Sequence, residues 1–417
     1  MVRAWPWWVR VLLLYTASRL FSAAVLDRVA RFQEPNPWTG PDPGLGGVLL
    51  MWDAAWYREI AERGYPDVVS RTPDGRPLQS ALAFYPLFPL LVRVVTAATG
   101  VPFAVAGPLV AVLLGAGAAL VAHRAVHAAL SAAGAGEAAA GRGAWAAVVL
   151  LCTYPASPVL LAPYSEGLAL LLLGAFLLQL VHRRYLAAAA LALLLGLARP
   201  VAAPLLAVVL AHVAVRAVRW WRAGRPWGRP QAAVAARAAV LLLASGAAGL
   251  LWPAGTWWLT GRHDAHLATM AAWRGGGEVV LVQPWWDVSQ YLLGEVAGPV
   301  ALLLVLGGHA ALLLSRRAAP LGPELRAWCL AYVAYLVLVQ DPFTNLVRYL
   351  LLLFPLGALL EVGPGRAAAA SGAPGGSAGG GGQGVGVLAA VACASLFLQV
   401  LWVASLWHFT PPADWSP

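Results

Sequence analysis

"RAVRWWRAGRPWGRPQAAVAAR", residues 216–237, puts Arg216, Arg219, Arg222, Arg225, Arg229 and Arg237 into one connection without a single acid. On either side lie apolar runs of near-spanning length, roughly 201–216 and 238–259. A short basic connection between two apolar segments stays on the cytoplasmic side of a membrane, because arginine is retained there during insertion. This one stretch therefore makes the chain polytopic, fixes a side, and assigns every other loop by parity. Arg183 with Arg184, Arg316 with Arg317, and the N-terminus then also fall inside.

Composition agrees with that reading. Of 417 residues, 60% are apolar and 11% charged, far from soluble globular usage. Further apolar runs give spans at roughly 9–27, 103–122, 144–162, 165–181, 185–198, 297–314, 327–340, 346–361 and 386–406, about eleven in all with the two above. The expected fold is an all-α polytopic bundle forming one domain over 1–417. The start, "MVRAWPWWVRVLLLYTASRLFSAAVL", lacks an A-x-A-like cleavage site and is read as the first span.

The segment "AFYPLFPLLVRVVTAATG", residues 83–100, is apolar too, yet counting it as a span would put the basic "HRAVH" loop outside. It is therefore assigned to a re-entrant or interfacial element, and residues 28–102 become the first extracytoplasmic loop. Only Glu137, Glu324 and Glu361 among the acids then lie inside. The Gly/Ala/Ser tract at 363–386 has neither apolar period nor charge and reads as a flexible cytoplasmic linker.

There is no lysine, so all 28 basic residues are arginine, a pattern expected of a GC-rich bacterial genome. The formal charge of +10 belongs to membrane topology, which leaves no argument for nucleic acid as a partner. Cys152, Cys329 and Cys393 lie in apolar runs, where a thiol acts as a small hydrophobe, so neither a disulfide framework nor a cysteine metal site is expected.

The unusual polar motifs collect on the outer side: residues 28–102, "PYSEG" at 163–167, "ARP" at 198–200, residues 260–296 and "QDPFTN" at 340–345. Within "MWDAAWYREIAERGYPD", residues 51–67, Trp52, Trp56 and Ile60 recur at i, i+4 and i+8. That spacing predicts an amphipathic helix along the bilayer surface with its tryptophans at headgroup depth. Asp53 either caps this helix or serves as a general base at a site floored by the membrane. Glu166 suits the N-terminus of its helix as well as a role in binding. Arg348 either snorkels to the outer headgroups or binds an anion. Arg19, deep in the first span, demands a partner or a wet cavity. His263, Asp264 and His266 have a spacing that can hold a metal but read as a solvated cluster, so none is expected. Trp285 and Trp286 fit the interfacial aromatic belt.

"WDAAWYREIAERGY", "AFYPLFPLLVR", "YPASPVLLAPYSEGLALLLLGAF", "LARPVA" and "VRYLLLLFPL", in that order over roughly residues 50–355, resemble the PIG-V family, the second mannosyltransferase of GPI-anchor assembly, and its bacterial relatives. The resemblance implies a GT-C type glycosyltransferase in the plasma membrane with an extracytoplasmic active face. It implies a polyprenyl-phosphate sugar, mannose, as donor, and no further cofactor. Membrane lipid surrounds the enzyme, and the acceptor, a glycolipid, glycan or protein, stays open. Asp53 matches the "WD" position and would take the acceptor proton. Arg348, Arg199 and Arg19 are the candidates for the donor phosphate, and Trp52, Tyr57, Tyr164 and Glu166 for substrate contacts. Family members often carry an acid soon after "GY", a role open here to Asp67 or Asp74. A multi-span transporter or lipid flippase and a non-catalytic assembly factor are the alternatives, the first expected to bury ionisable groups in several helices.

Overall fold

The computed structural model describes residues 5–224, 228–274, 277, 279–362, 380–410 and 417. Among the described residues every regular element is helical, and extended pairing is limited to one isolated bridge between Arg71 and Pro77. In order, the α-helices are α1 (Trp7–Ala30), α2 (Gly44–Val48), α3 (Asp53–Arg63), α4 (Leu87–Thr99), α5 (Phe103–Ala132), α6 (Glu137–Thr153), α7 (Glu166–Val181), α8 (Tyr185–Gly196) and α9 (Ala202–Arg222). They continue with α10 (Arg229–Ala247), α11 (Leu251–Thr260), α12 (Ala265–Trp273), α13 (Gln283–Leu293), α14 (Ala297–Leu314), α15 (Gly322–Val339), α16 (Leu346–Tyr349) and α17 (Gly380–Leu406).

Among the described residues, seven stretches are long and apolar enough to cross a membrane: 7–30, 103–132, 202–222, 229–247, 297–314, 316–339 and 386–406. The other four predicted spans fall on shorter pieces. α7 has 16 residues and α8 has 12, so at 1.5 Å per residue they reach only about 24 and 18 Å against about 30 Å of hydrocarbon. The apolar character of α7 has another cause, since it is buried nearly all round and forms the centre of the bundle, whereas α8 exposes Leu186 and Leu194. α4, in the segment set aside as re-entrant or interfacial, has 13 residues and is likewise too short to cross alone.

Close packing of α7 on α5 depends on small residues. A Cβ added at Gly167 would lie 3.2 Å from the Ala111 carbonyl oxygen and from the Gly115 nitrogen. This contact fixes the N-terminal turn of α7, and with it Glu166.

One expectation is corrected. α3 forms over the predicted stretch, but its apolar face meets protein rather than headgroups: Ala54, Tyr57, Ile60 and Ala61 are buried, and the Trp56 ring packs against Phe84 and Trp273. The loop at 68–102 folds back over the face that a sequence pattern could only mark as apolar. α17 begins at Gly380, within the stretch read as a linker. Residues 363–379 of that prediction lie outside the described residues.

Candidate functional site

Asp53 is the first residue of α3, and no side chain caps that helix. Its carboxylate instead meets Arg348, with Oδ2 2.6 Å from Nη1. The residue before it carries the strain: Trp52 has φ 51° and ψ −120°, a conformation usual for glycine, of a kind that costs about 1–3 kcal/mol. Its buried indole is held between Trp38 at 5.2 Å and Trp407 at 5.7 Å. Aromatic packing thus locks a turn that aims Asp53 inward. Trp52 is a positioning residue for Asp53 and does not line the cavity described below, contrary to the expected substrate contact.

Arg348 arrives from a different part of the chain. It lies in the single turn α16, which runs into 3₁₀ geometry at Leu350–Leu360 with Pro355 inside and a break at Leu353. A 3₁₀ segment is readily held by side chains from a neighbouring helix, and α15 does so here. Tyr332 Oη donates to the Tyr349 carbonyl at 3.2 Å, and Trp328 Nε1 to that of Leu352 at 2.8 Å. The Arg348 guanidinium sits over the rings of Tyr164 at 5.3 Å and Tyr349 at 5.5 Å, and its side chain is 5% exposed. It does not snorkel to headgroups.

Behind this pair, Arg348 Nε lies 3.6 Å from Glu166 Oε1, and Arg199 Nη1 lies 2.8 Å from the same oxygen. Asp53, Arg348, Glu166 and Arg199 therefore form an alternating row of charges. Burying such charges is tolerated only when each has an opposite neighbour, and loss of one partner typically costs about 3–5 kcal/mol. Glu166 sits on the first turn of α7, where the helix dipole favours a negative charge.

The surrounding corners are tied together by hydrogen bonds. Tyr57 Oη donates to Ser165 Oγ at 2.9 Å, and Tyr164 Oη to the Met51 carbonyl at 3.3 Å. The Leu87 amide donates to the Leu197 carbonyl at 3.0 Å, joining the corner before α4 to the "ARP" corner. Tyr57 also packs edge-on against Phe84 and Phe88. Burial pushes the Tyr57 phenol well above its usual range, so it is a neutral donor.

In front of the row lies a cavity of about 220 Å³. Asp53, Tyr57, Arg199 and Arg348 line it. Glu166 and Tyr164 stand behind its wall, and Arg19 is elsewhere. Arg19 binds the Ser157 carbonyl and hydroxyl and the Cys152 carbonyl, joining α1 to the end of α6. Its expected partner is thus protein backbone rather than a donor phosphate. Asp74 is exposed and paired with Arg76 at 2.8 Å, and neither it nor Asp67 reaches the cavity.

Further residues complete the cavity wall. Arg274 and Asp341 face each other at 4.0 Å from loops far apart in the chain. His266 and Trp273 on α12, and Tyr335 on α15, complete an aromatic side. His266 leaves the predicted H-D-x-H cluster, whose Asp264 pairs with Arg262 at 2.7 Å. Trp285 turns to the Gln340 carbonyl at 2.7 Å, supporting the loop that carries Asp341. His266 Nδ1, Trp273 Nε1 and Asn345 Oδ1, all on wall residues, have no hydrogen-bond partner among the described residues.

No protein-family model matches the chain, and no curated protein matches it.

Proposed function

We propose that the chain is a GT-C type membrane glycosyltransferase, moving a sugar, mannose by its resemblance to PIG-V proteins, from a polyprenyl-phosphate donor to an extracytoplasmic acceptor. The observation that carries this reading is convergence. Five motifs spread over some three hundred residues meet at one cavity, where a carboxylate and a guanidinium stand 2.6 Å apart.

In this reading the donor phosphate displaces the Asp53 carboxylate from Arg348, since guanidinium can donate two parallel hydrogen bonds to a phosphate. Donor binding thereby frees Asp53 for the acceptor. The acceptor hydroxyl oxygen attacks the anomeric carbon, its proton passes to Asp53, and the bond from that carbon to the phosphate oxygen breaks with its electron pair leaving on the phosphate. Arg348 and Arg199 offset the charge that builds there. A single displacement inverts the anomeric configuration. Arg274 lines the same cavity, so three guanidiniums, those of Arg199, Arg274 and Arg348, are at hand for an anionic donor. The unpaired polar atoms of His266, Trp273 and Asn345 suit the hydroxyl groups of a sugar.

The test is transfer of labelled mannose from polyprenyl-phosphate-mannose in membranes holding wild type or Asp53→Asn at matched protein levels, with a lipid and polymer extract as acceptor. Transfer by the wild type alone supports the reading. Equal transfer by both removes Asp53 from catalysis, and no transfer above background by the wild type overturns the donor.

A further inference from the structure

The opposite end of the bundle, assigned to the cytoplasm by its arginines, holds a second and larger cavity of about 850 Å³. It lies between the start of α1, the end of α5, the start of α6 and the end of α7. Its volume is within the range of small-molecule sites, about 300–1,000 Å³. Arg10, Arg124, Arg142 and Arg184 line it with three histidines, against the single carboxylate of Glu137.

The charges here are arranged unlike those of the outer cavity. Glu137 is bonded to His127 at 3.0 Å, and Glu361 reaches Arg142 at 3.8 Å. Among the described residues no carboxylate forms an ion pair with Arg10, Arg124 or Arg184. Two of these guanidiniums lie over indole faces instead: Arg124 is 5.1 Å from the Trp7 ring and Arg10 is 5.7 Å from the Trp145 ring. Trp7 is in turn stacked on His123 at 4.7 Å and 11°. Indoles hold the cations in place without neutralising them. A concave group of uncompensated arginines at headgroup depth has the features of an anion site, and basic pockets between spans on the cytoplasmic side take phosphorylated headgroups.

We propose that this cavity binds an anionic phosphate group, either that of a lipid headgroup from the inner leaflet or that of a soluble phosphate compound. Arg10, Arg124 and Arg184 are its ligands, and the Trp7 and Trp145 rings position the first two. The site is independent of the outer cavity and of the chemistry proposed there.

Thermal unfolding of the purified full-length protein in a neutral detergent tests this, with short-chain phosphatidic acid, phosphatidylcholine of the same chain length, and inorganic phosphate as probes. Phosphatidic acid raises the midpoint, phosphatidylcholine does not, and Arg10→Gln/Arg124→Gln weakens the apparent affinity about 30-fold, from about fivefold for each charge removed. If inorganic phosphate alone raises the midpoint, with the same loss in the variant, the ligand is soluble and the site stands. Arg184→Gln, a milder change, weakens binding about fivefold and serves if the double variant does not fold. No shift with either anion, or a shift equal in wild type and variants, overturns the proposal.

Discussion

The two cavities are both lined by arginine, but the cations beside Asp53 alternate with acids in a row, whereas in the larger cavity Glu361 reaches Arg142 alone. At the outer end, Asp53, Arg348, Glu166 and Arg199 alternate within 2.6–3.6 Å of one another. At the inner end, Arg10 and Arg124 rest on tryptophan rings and leave their charge unmet. A paired row is rigid and directional, and its members respond strongly to the loss of a neighbour. An unpaired group holds a ligand and little else. The difference separates residues suited to reaction from residues suited to retention, and each change below breaks or sharpens it.

Asp53→Asn is the largest expected break. It keeps size and one hydrogen-bonding oxygen but cannot take a proton, so transfer falls by about 10²–10⁴, the usual contribution of a general base. Rates of labelled-sugar transfer at matched expression measure it. A loss under about threefold would leave the acid as a partner for Arg348 and nothing more.

Arg348→Leu comes next and is read on stability. It leaves the partly buried Asp53 without its cation and the buried Glu166 with Arg199 alone, at a cost of up to about 3–5 kcal/mol in a denaturant titration. Asp53→Asn combined with Arg348→Gln sharpens the result. If the pair interacts as its 2.6 Å contact indicates, the double variant departs from additivity by about 0.5–3 kcal/mol. Additive losses would mean that the two charges are screened from each other.

How much of this was legible beforehand differs between fold and site. The helical membrane character follows from hydropathy, and arginine placement divided the polar motifs from the basic ones. Span number was less legible, because a fully buried helix such as α7 and a lipid-facing one are equally apolar in sequence. Asp53, Tyr57, Arg199 and Arg348 line one cavity. Trp52 and Arg19 do not, because a tryptophan or a buried arginine reads the same whether it faces ligand or protein. The strained turn at Trp52, the pairing of Arg274 with Asp341 and the arrival of His266 all depend on how distant loops fold together, which no local spacing encodes.

Tyr57→Phe removes one hydroxyl from the wall and keeps the ring against Phe84 and Phe88. Its loss leaves Ser165 without that donor, so stability falls by about 1 kcal/mol. If Tyr57 also contacts substrate, KM rises while kcat changes little. A change in stability alone would limit it to joining α3 to α7.

The smallest expected effect concerns His266, which separates the cavity's fixed charges from its neutral wall. Burial, with Arg274 nearby, pushes its imidazole below the ordinary value of 6.5, against the opposing pull of the Leu82 carbonyl. The folded chain therefore binds this proton less readily than the unfolded one. Linkage then gives the sign: the histidine's contribution is complete above 6.5 and is lost as pH falls below it toward the folded value, because the unfolded state gains a proton that the folded state resists. Thermal unfolding at about pH 8 and about pH 5 reads this directly, since the interval brackets the ordinary histidine value. The wild type loses more stability on acidification than His266→Asn does. Equal losses would mean that the ring is solvated, and His266 would then leave the cavity wall and rejoin the loop of His263 and Asp264.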